Sequence, residues 1–211
     1  TGAAGGIGRA IAVELARAGA RLLLIDRNVE VLQAQAVELR ALGATVWVVP
    51  ADLTRAPDRL DVVENVTRLL GGVDVLINNA GLLNFTPFEA EDPGAIERLL
   101  QVNVMAPIAL TRALLPLLLA QGSGRIVNVG SIFGSIGFPY FASYSASKFA
   151  LRGFSEALRR ELDGTGVGVT YVAPRATRTA LNTSAVNRMN QDLKVAMDDP
   201  AAVAAAIADA I

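Results

Sequence analysis

Residues 1–26 read TGAAGGIGRAIAVELARAGARLLLID, and three patterns in that stretch decide the fold class. Gly2, Gly5, Gly6 and Gly8 open it, and glycines let a backbone turn sharply and let another group approach the amides at a helix start. From Gly8 to Ala18, Ile11 and Leu15 recur with several alanines at helical spacing, and Gly19 supplies a C-terminal stop. Arg21-Leu22-Leu23-Leu24-Ile25 is a short apolar run ending at Asp26, the pattern of a strand buried on both faces. A glycine-rich turn of this kind normally follows a buried strand, so the sequence is expected to be trimmed at its front, leaving the sheet without its first strand. The Ala-rich end at Ile211 suggests trimming there as well.

The alternation continues outward. Helical patterns cover 29–42, 58–70, 97–118, 142–162 and, starting at a proline, 200–211; strand patterns cover 45–49, 73–77, 125–129 and 167–172. Strands alternating with helices predict parallel βαβ units with right-handed crossovers. The expected architecture is α/β, a doubly wound parallel sheet in a three-layer αβα Rossmann fold. One domain spans 1–211, and the less regular stretch 175–200 is expected to be a substrate-binding flap.

Composition narrows the chemistry. The chain is 52% hydrophobic, 5% aromatic and 18% charged, with net charge −1 and no basic run. That describes a packed globule with no nucleic-acid footprint. The most strongly apolar stretch, Ala113 to Ala120, is too short to span a bilayer and contains Pro116. Cysteine is absent, which removes disulfides and thiol nucleophiles and is compatible with a reducing cytoplasm. Histidine is absent too, removing Ser-His-Asp hydrolysis and the common zinc sets, so no metal is expected. Acid–base work falls to Tyr, Lys, Asp, Glu or ordered water.

Tyr144-Ser145-Ala146-Ser147-Lys148 stands out against that background. In a helix, positions i and i+4 share a face, so phenol and ammonium act on one small volume. A cation beside a phenol favours phenolate and predicts a pKa drawn down toward neutrality, suited to an alcohol or carbonyl. Taken alone, the pair also reads as a half-buried aromatic beside a solvated charge. The Thr1-Gly2-x-x-x-Gly6-Ile7-Gly8 turn suits a pyrophosphate at a helix N-terminus, or is merely a tight strand–helix turn. Asp26, at the end of the next strand, suits an adenosine ribose and repels a 2′-phosphate, favouring NAD over NADP. Asp26 is otherwise a cap or loop acid, and the adjoining Arg27 would greet the phosphate if Asp26 turned away.

These residues, together with Asp52-Leu53, Asn78-Asn79-Ala80-Gly81, Asn103, Ser131 and Pro174, occur in the order and spacing of the short-chain dehydrogenase/reductase family. The chain resembles its compact single-domain type over nearly its whole length. The resemblance implies that Asp52, with Leu53, contacts adenine and that Asn79, Ala80 and Gly81 line the adenosine ribose. It also implies a catalytic tetrad of Asn103, Ser131, Tyr144 and Lys148. Ser131 would steady the substrate oxygen, Tyr144 would exchange its proton, Lys148 would lower the tyrosine pKa and hold the nicotinamide ribose, and Asn103 would hold a relaying water. Association into a homodimer or homotetramer through the helices at 97–118 and 142–162 is implied in the same way.

One segment departs from the family, which usually reads Pro-Gly-x-Val-x-Thr where this chain has Pro174-Arg175-Ala176-Thr177-Arg178-Thr179. Pro174, Thr177 and Thr179 are still assigned to the cofactor. Arg175 and Arg178 are either solvated flap charges or an anchor for an anion. The expected function is hydride transfer between NAD(P) and a secondary alcohol or ketone, with Tyr144 as acid and base. Phe85, Phe133, Phe138, Phe141, Leu181, Met189 and Met197 suggest an apolar or amphipathic substrate, or serve as packing. The competing readings are a dinucleotide-binding regulator without turnover, and an epimerase or dehydratase, against which the short tail argues.

Overall fold

The computed structural model describes residues 1–211. Strands run Leu22–Asp26 (β1), Val46–Pro50 (β2), Val75–Asn78 (β3), Gly124–Val129 (β4) and Val167–Val172 (β5), all paired in parallel. The arrangement is doubly wound, as the alternation predicts, in two sheets ordered β1-β2 and β3-β4-β5. The opening residues lie between them. The Thr1 nitrogen donates to the Ile77 carbonyl at 2.7 Å and the Ala3 amide to the Ile25 carbonyl at 3.2 Å.

Helices run Gly6–Arg17 (α1), Val29–Ala41 (α2), Ala56–Asn65 (α3), Pro93–Leu100 (α4), Ala106–Gln121 (α5), Ala142–Glu161 (α6), Ser184–Asp192 (α7) and Pro200–Asp209 (α8). Because successive strand residues point to opposite faces, the Val/Ile/Leu runs feed two cores. On one face Leu22 and Leu24 pack with Leu32, Ala36 and Leu39 of α2, and Val127 and Val129 pack with Ile11 of α1 and Val203 and Ile207 of α8. On the other face Ile25, Leu76, Ile126 and Val169 meet Val62 of α3, Leu110, Leu114 and Leu118 of α5, and Leu158 of α6. Three layers follow directly from that alternation.

The expected helix over 97–118 is a longer run, 93–121, in which residues 101–105 form a π-helical turn. Pro107 explains a break here: it has no N–H to give the Asn103 carbonyl, so the α-helical ladder cannot run through. By length and mean hydropathy (1.7) the 29-residue run would be able to cross a membrane, which corrects the expectation drawn from residues 113–120 alone. Leu99, Leu110 and Leu118 of the run are fully buried in the core, whereas Leu100, Met105 and Leu119 are exposed.

The stretch 175–200 is more ordered than expected. Its helix α7 starts at Thr183, whose hydroxyl accepts from the Val186 amide. Thr177 and Asp198 form a parallel bridge that closes the segment on itself.

Candidate active site

The carboxyl ends of all five strands open onto one cleft of about 890 Å³, the place where open α/β sheets bind ligands. Its walls include Gly2, Gly5, Gly6, Ile7, Gly8, Asp26, Arg27, Asp52, Leu53, Asn79, Ala80, Gly81, Ser131, Tyr144, Lys148, Pro174, Thr177 and Thr179, so every catalytic or cofactor candidate except Asn103 reaches it. The glycine turn is tight: a Cβ on Gly8 would stand 2.1 Å from the Gly2 carbonyl oxygen. No side chain caps the N-terminus of α1, which leaves its first amides free for a ligand. Asn79 secures the turn, its amide nitrogen donating to the Thr1 and Gly2 carbonyls at 3.1 Å each.

Asp26 faces the same turn. Its two oxygens accept from the Ala4 and Asn28 amides at 3.1 Å each, so the carboxylate shapes the turn while lining the cleft. Arg27 beside it is exposed. Asp52 accepts from the Thr54 hydroxyl at 2.7 Å and the Thr54 amide at 3.0 Å, and these bonds hold its carboxyl below the usual carboxylate range. Asp58, in the first turn of α3, accepts from the Asp52 amide at 2.8 Å and ties the preceding loop to the helix.

Ser131, Tyr144 and Lys148 come together at the bottom of the cleft, each less than a tenth exposed. The Lys148 ammonium lies 5.7 Å from the centre of the Tyr144 ring and donates to the Val129 carbonyl at 3.1 Å. Burial lowers its pKa to about 8. Contrary to expectation, the Tyr144 phenol is pushed up to about 12, chiefly by burial, with the Ser131 hydroxyl opposing the rise. Desolvation of a phenolate outweighs a cation held toward a backbone carbonyl. Asn103 is buried beside these three residues. Its side-chain oxygen accepts from the Leu82 amide at 2.8 Å, and its nitrogen donates to the Leu82 carbonyl at 2.9 Å and the Ser147 hydroxyl at 3.0 Å. That side chain clamps the loop after β3 to α6.

Tyr171 was invisible to pattern reading. From β5 its hydroxyl lies 3.4 Å from the Ser131 amide, 3.3 Å from the Ser131 carbonyl and 3.4 Å from the Lys148 carbonyl. Its ring occupies a notch that any side chain at Gly130 or Gly134 would fill, since a Cβ at either would stand 2.1 Å from Tyr171 atoms. The only signal in the sequence was an aromatic in a strand otherwise made of small and β-branched residues.

Arg175 and Arg178 are each paired within the segment, and Arg175 also lines the cleft. Arg175 forms a two-pronged bond to Asp198 at 2.6 and 3.2 Å, and Arg178 donates to the Met197 carbonyl at 2.7 Å and reaches Asp199 at 3.4 Å. They fasten the segment with Pro174, Thr177 and Thr179 still on the cleft. Of the apolar candidates, Phe133, Phe138, Phe141, Leu181 and Met189 line the cleft, whereas Phe85 and Met197 do not.

These residues fit a nicotinamide dinucleotide. An uncapped helix start awaits phosphates, and a buried ammonium uses one of its three donors on protein, leaving two for ribose hydroxyls.

Residues 1–190 match the short chain dehydrogenase family. Ketoacyl reductase HetN of Nostoc sp. is 33% identical over 212 residues, covering 100% of this chain and 73% of its own. Estradiol 17-beta-dehydrogenase 11 of Macaca fascicularis is 35% identical over 182 residues, covering 85% of this chain and 61% of its own. The curated relatives are thus longer, and this chain spans as little as 59% of one of them. A short-chain dehydrogenase from Sphingobium yanoikuyae, solved in complex with NADPH, superposes with a TM-score of 0.87 at 33% identity over 98% of this chain and 80% of that one.

Proposed function

The chain belongs to the short-chain dehydrogenase/reductase family, and on that premise we propose that it is an NAD(P)-dependent oxidoreductase interconverting a secondary alcohol and a ketone. The observation that carries this is the convergence of Ser131, Tyr144 and Lys148, all buried, at the floor of a cleft whose other end is an uncapped glycine turn.

A dinucleotide held by the glycine turn and Lys148 would supply or accept the hydride. In reduction, Tyr144 gives its phenolic proton to the substrate oxygen as the carbonyl π electrons move onto that oxygen. Its raised pKa keeps it in the donating form at neutral pH. Ser131 donates a hydrogen bond to the same oxygen and holds it within reach of the phenol. In oxidation the phenolate must form first. Lys148, still largely cationic at pH 7 with a pKa of about 8, is the charge that favours it. Asn103 acts on the position of α6 through Ser147. Ketone reduction is therefore expected to be flat across neutral pH, while alcohol oxidation rises with pH up to about 8, where Lys148 loses the charge that favours the phenolate.

We favour NAD as the cofactor, because Asp26 lines the cleft at the end of β1, where a carboxylate suits ribose hydroxyls and repels a 2′-phosphate. Calorimetric titration with NADH and NADPH tests both the cofactor and its reader. NADH binding at least tenfold tighter supports Asp26, the reverse order hands the role to Arg27, and binding of neither overturns the proposal. No observation favours a regulator without turnover, since the arginines that raised it pair with Asp198 and Asp199. We also propose a homodimer or homotetramer through α5 and α6, supported by exposed Met105, Leu119 and Phe149 on and beside those helices. The absence of cysteine fits a cytoplasmic setting.

A further inference from the structure

The apolar surface does not end at the Tyr144 phenol. Phe138, Met189 and Leu193 line the main cleft and also a second cavity of about 540 Å³, whose remaining walls include Phe85, Tyr140 and Ala185. The rings between the two are continuous. Tyr144 meets Phe133 edge-on at 6.4 Å, Phe133 stacks on Phe138 at 5.4 Å and touches Phe141 at 4.9 Å, Phe141 meets Phe85 at 4.8 Å, and Phe85 meets Tyr140 at 5.6 Å. At the far end Tyr140 and Leu193 remain more than half exposed, an apolar patch of the kind that marks a binding surface. Tyr140 also holds φ +68, a conformation bulky residues rarely adopt. The two spaces together exceed what a short alcohol would fill.

We propose that the substrate is an elongated apolar alcohol or ketone. Its reacting carbon lies at Tyr144 and its body crosses Phe133 and Phe138 into the second cavity, with Met189 and Leu193 at the threshold. This deepens the oxidoreductase reading and rests on it. Each methylene that reaches the second cavity adds about fourfold to specificity by the free energy of burying it.

The test uses butanone, 2-octanone and 2-undecanone with the protein and its reduced cofactor, measuring kcat/KM and, in parallel, ketone binding by calorimetry. Specificity is expected to rise at least tenfold from the shortest to the longest ketone. Ala185 lines only the second cavity, so Ala185→Trp should abolish that rise and leave butanone unchanged. Tyr140→Gly, which suits the left-handed backbone and removes a wall, should weaken the long ketones several-fold while keeping the fold. Equal values along the series, or an equal loss for all ketones in both variants, overturns the inference. So does a length dependence that persists in Ala185→Trp while the oligomeric state changes, which would assign the cavity to a second copy of the chain. If no ketone turns over but binding keeps the length dependence and Ala185→Trp removes it, the cavity inference stands and the oxidoreductase proposal falls.

Discussion

Lys148 is held where it costs stability. Its native pKa of about 8 lies below the 10.5 of the free side chain, so between those values the unfolded chain binds more protons and stability rises with pH. At pH 7 the buried ammonium is therefore a burden. Lys148→Met should unfold at higher temperature at pH 7, by roughly 1–3 kcal/mol, with the gain shrinking as pH passes 8 toward 10.5 and activity lost throughout. A gain that is absent at pH 7, or that grows with pH, would contradict this. Tyr171 is expected to act as a positioning residue, because its hydroxyl contacts the backbone of Ser131 and Lys148. Tyr171→Phe keeps the ring in its glycine notch but removes the hydroxyl, so it should cost about 1 kcal/mol. It should lower kcat several-fold with cofactor affinity unchanged and displace the alkaline rise of alcohol oxidation, whereas a purely structural role would leave that pH profile in place. The spacing of Tyr144 and Lys148 was legible because a helix repeats every turn. The sign of the phenol's pKa was not, because desolvation depends on what closes over the side chain, and Tyr171 was not, because its partners lie 23 and 40 residues away.

Helix and strand positions were legible wherever apolar periodicity ran long, as in α2 and α6, because burial on one face leaves its period in the sequence. The π turn at 101–105 follows from Pro107, a local rule that a periodicity scan passes over. α7 was missed because its nine residues are largely polar, with Val186 and Asn190 as its buried positions. The Pro174-Arg175 departure likewise needed tertiary contacts, since only these show Arg175 meeting Asp198. Arg175→Gly, which restores the family's usual residue, should free the bridge between Thr177 and Asp198. Hydrogen exchange at the Arg178 and Asp198 amides should quicken, while global stability changes by less than about 1 kcal/mol because the Arg175 side chain is largely exposed. Unchanged exchange would mean that the bridge holds without the arginine.

The whole molecule places its chemistry by topology. Parallel strands deliver Asp26, Asp52, Asn79, Ser131 and Pro174 to one edge, and α6 crosses behind with Tyr144 and Lys148. That convergence was legible from the alternation of elements and the motifs at strand ends; the second cavity, which depends on packing, was not. At this scale association is also tested: light scattering should report a dimer or tetramer, and Leu119→Glu with Phe149→Glu should yield monomer, whereas a monomeric parent would contradict the proposed interface. The most direct test of the account is ketone-dependent oxidation of the reduced cofactor by the parent protein and by Tyr144→Phe, with cofactor affinity measured for both. The account predicts turnover in the parent, a loss of roughly 10²–10⁴ in kcat for the variant, and equal cofactor binding. A variant that turns over like its parent would contradict it.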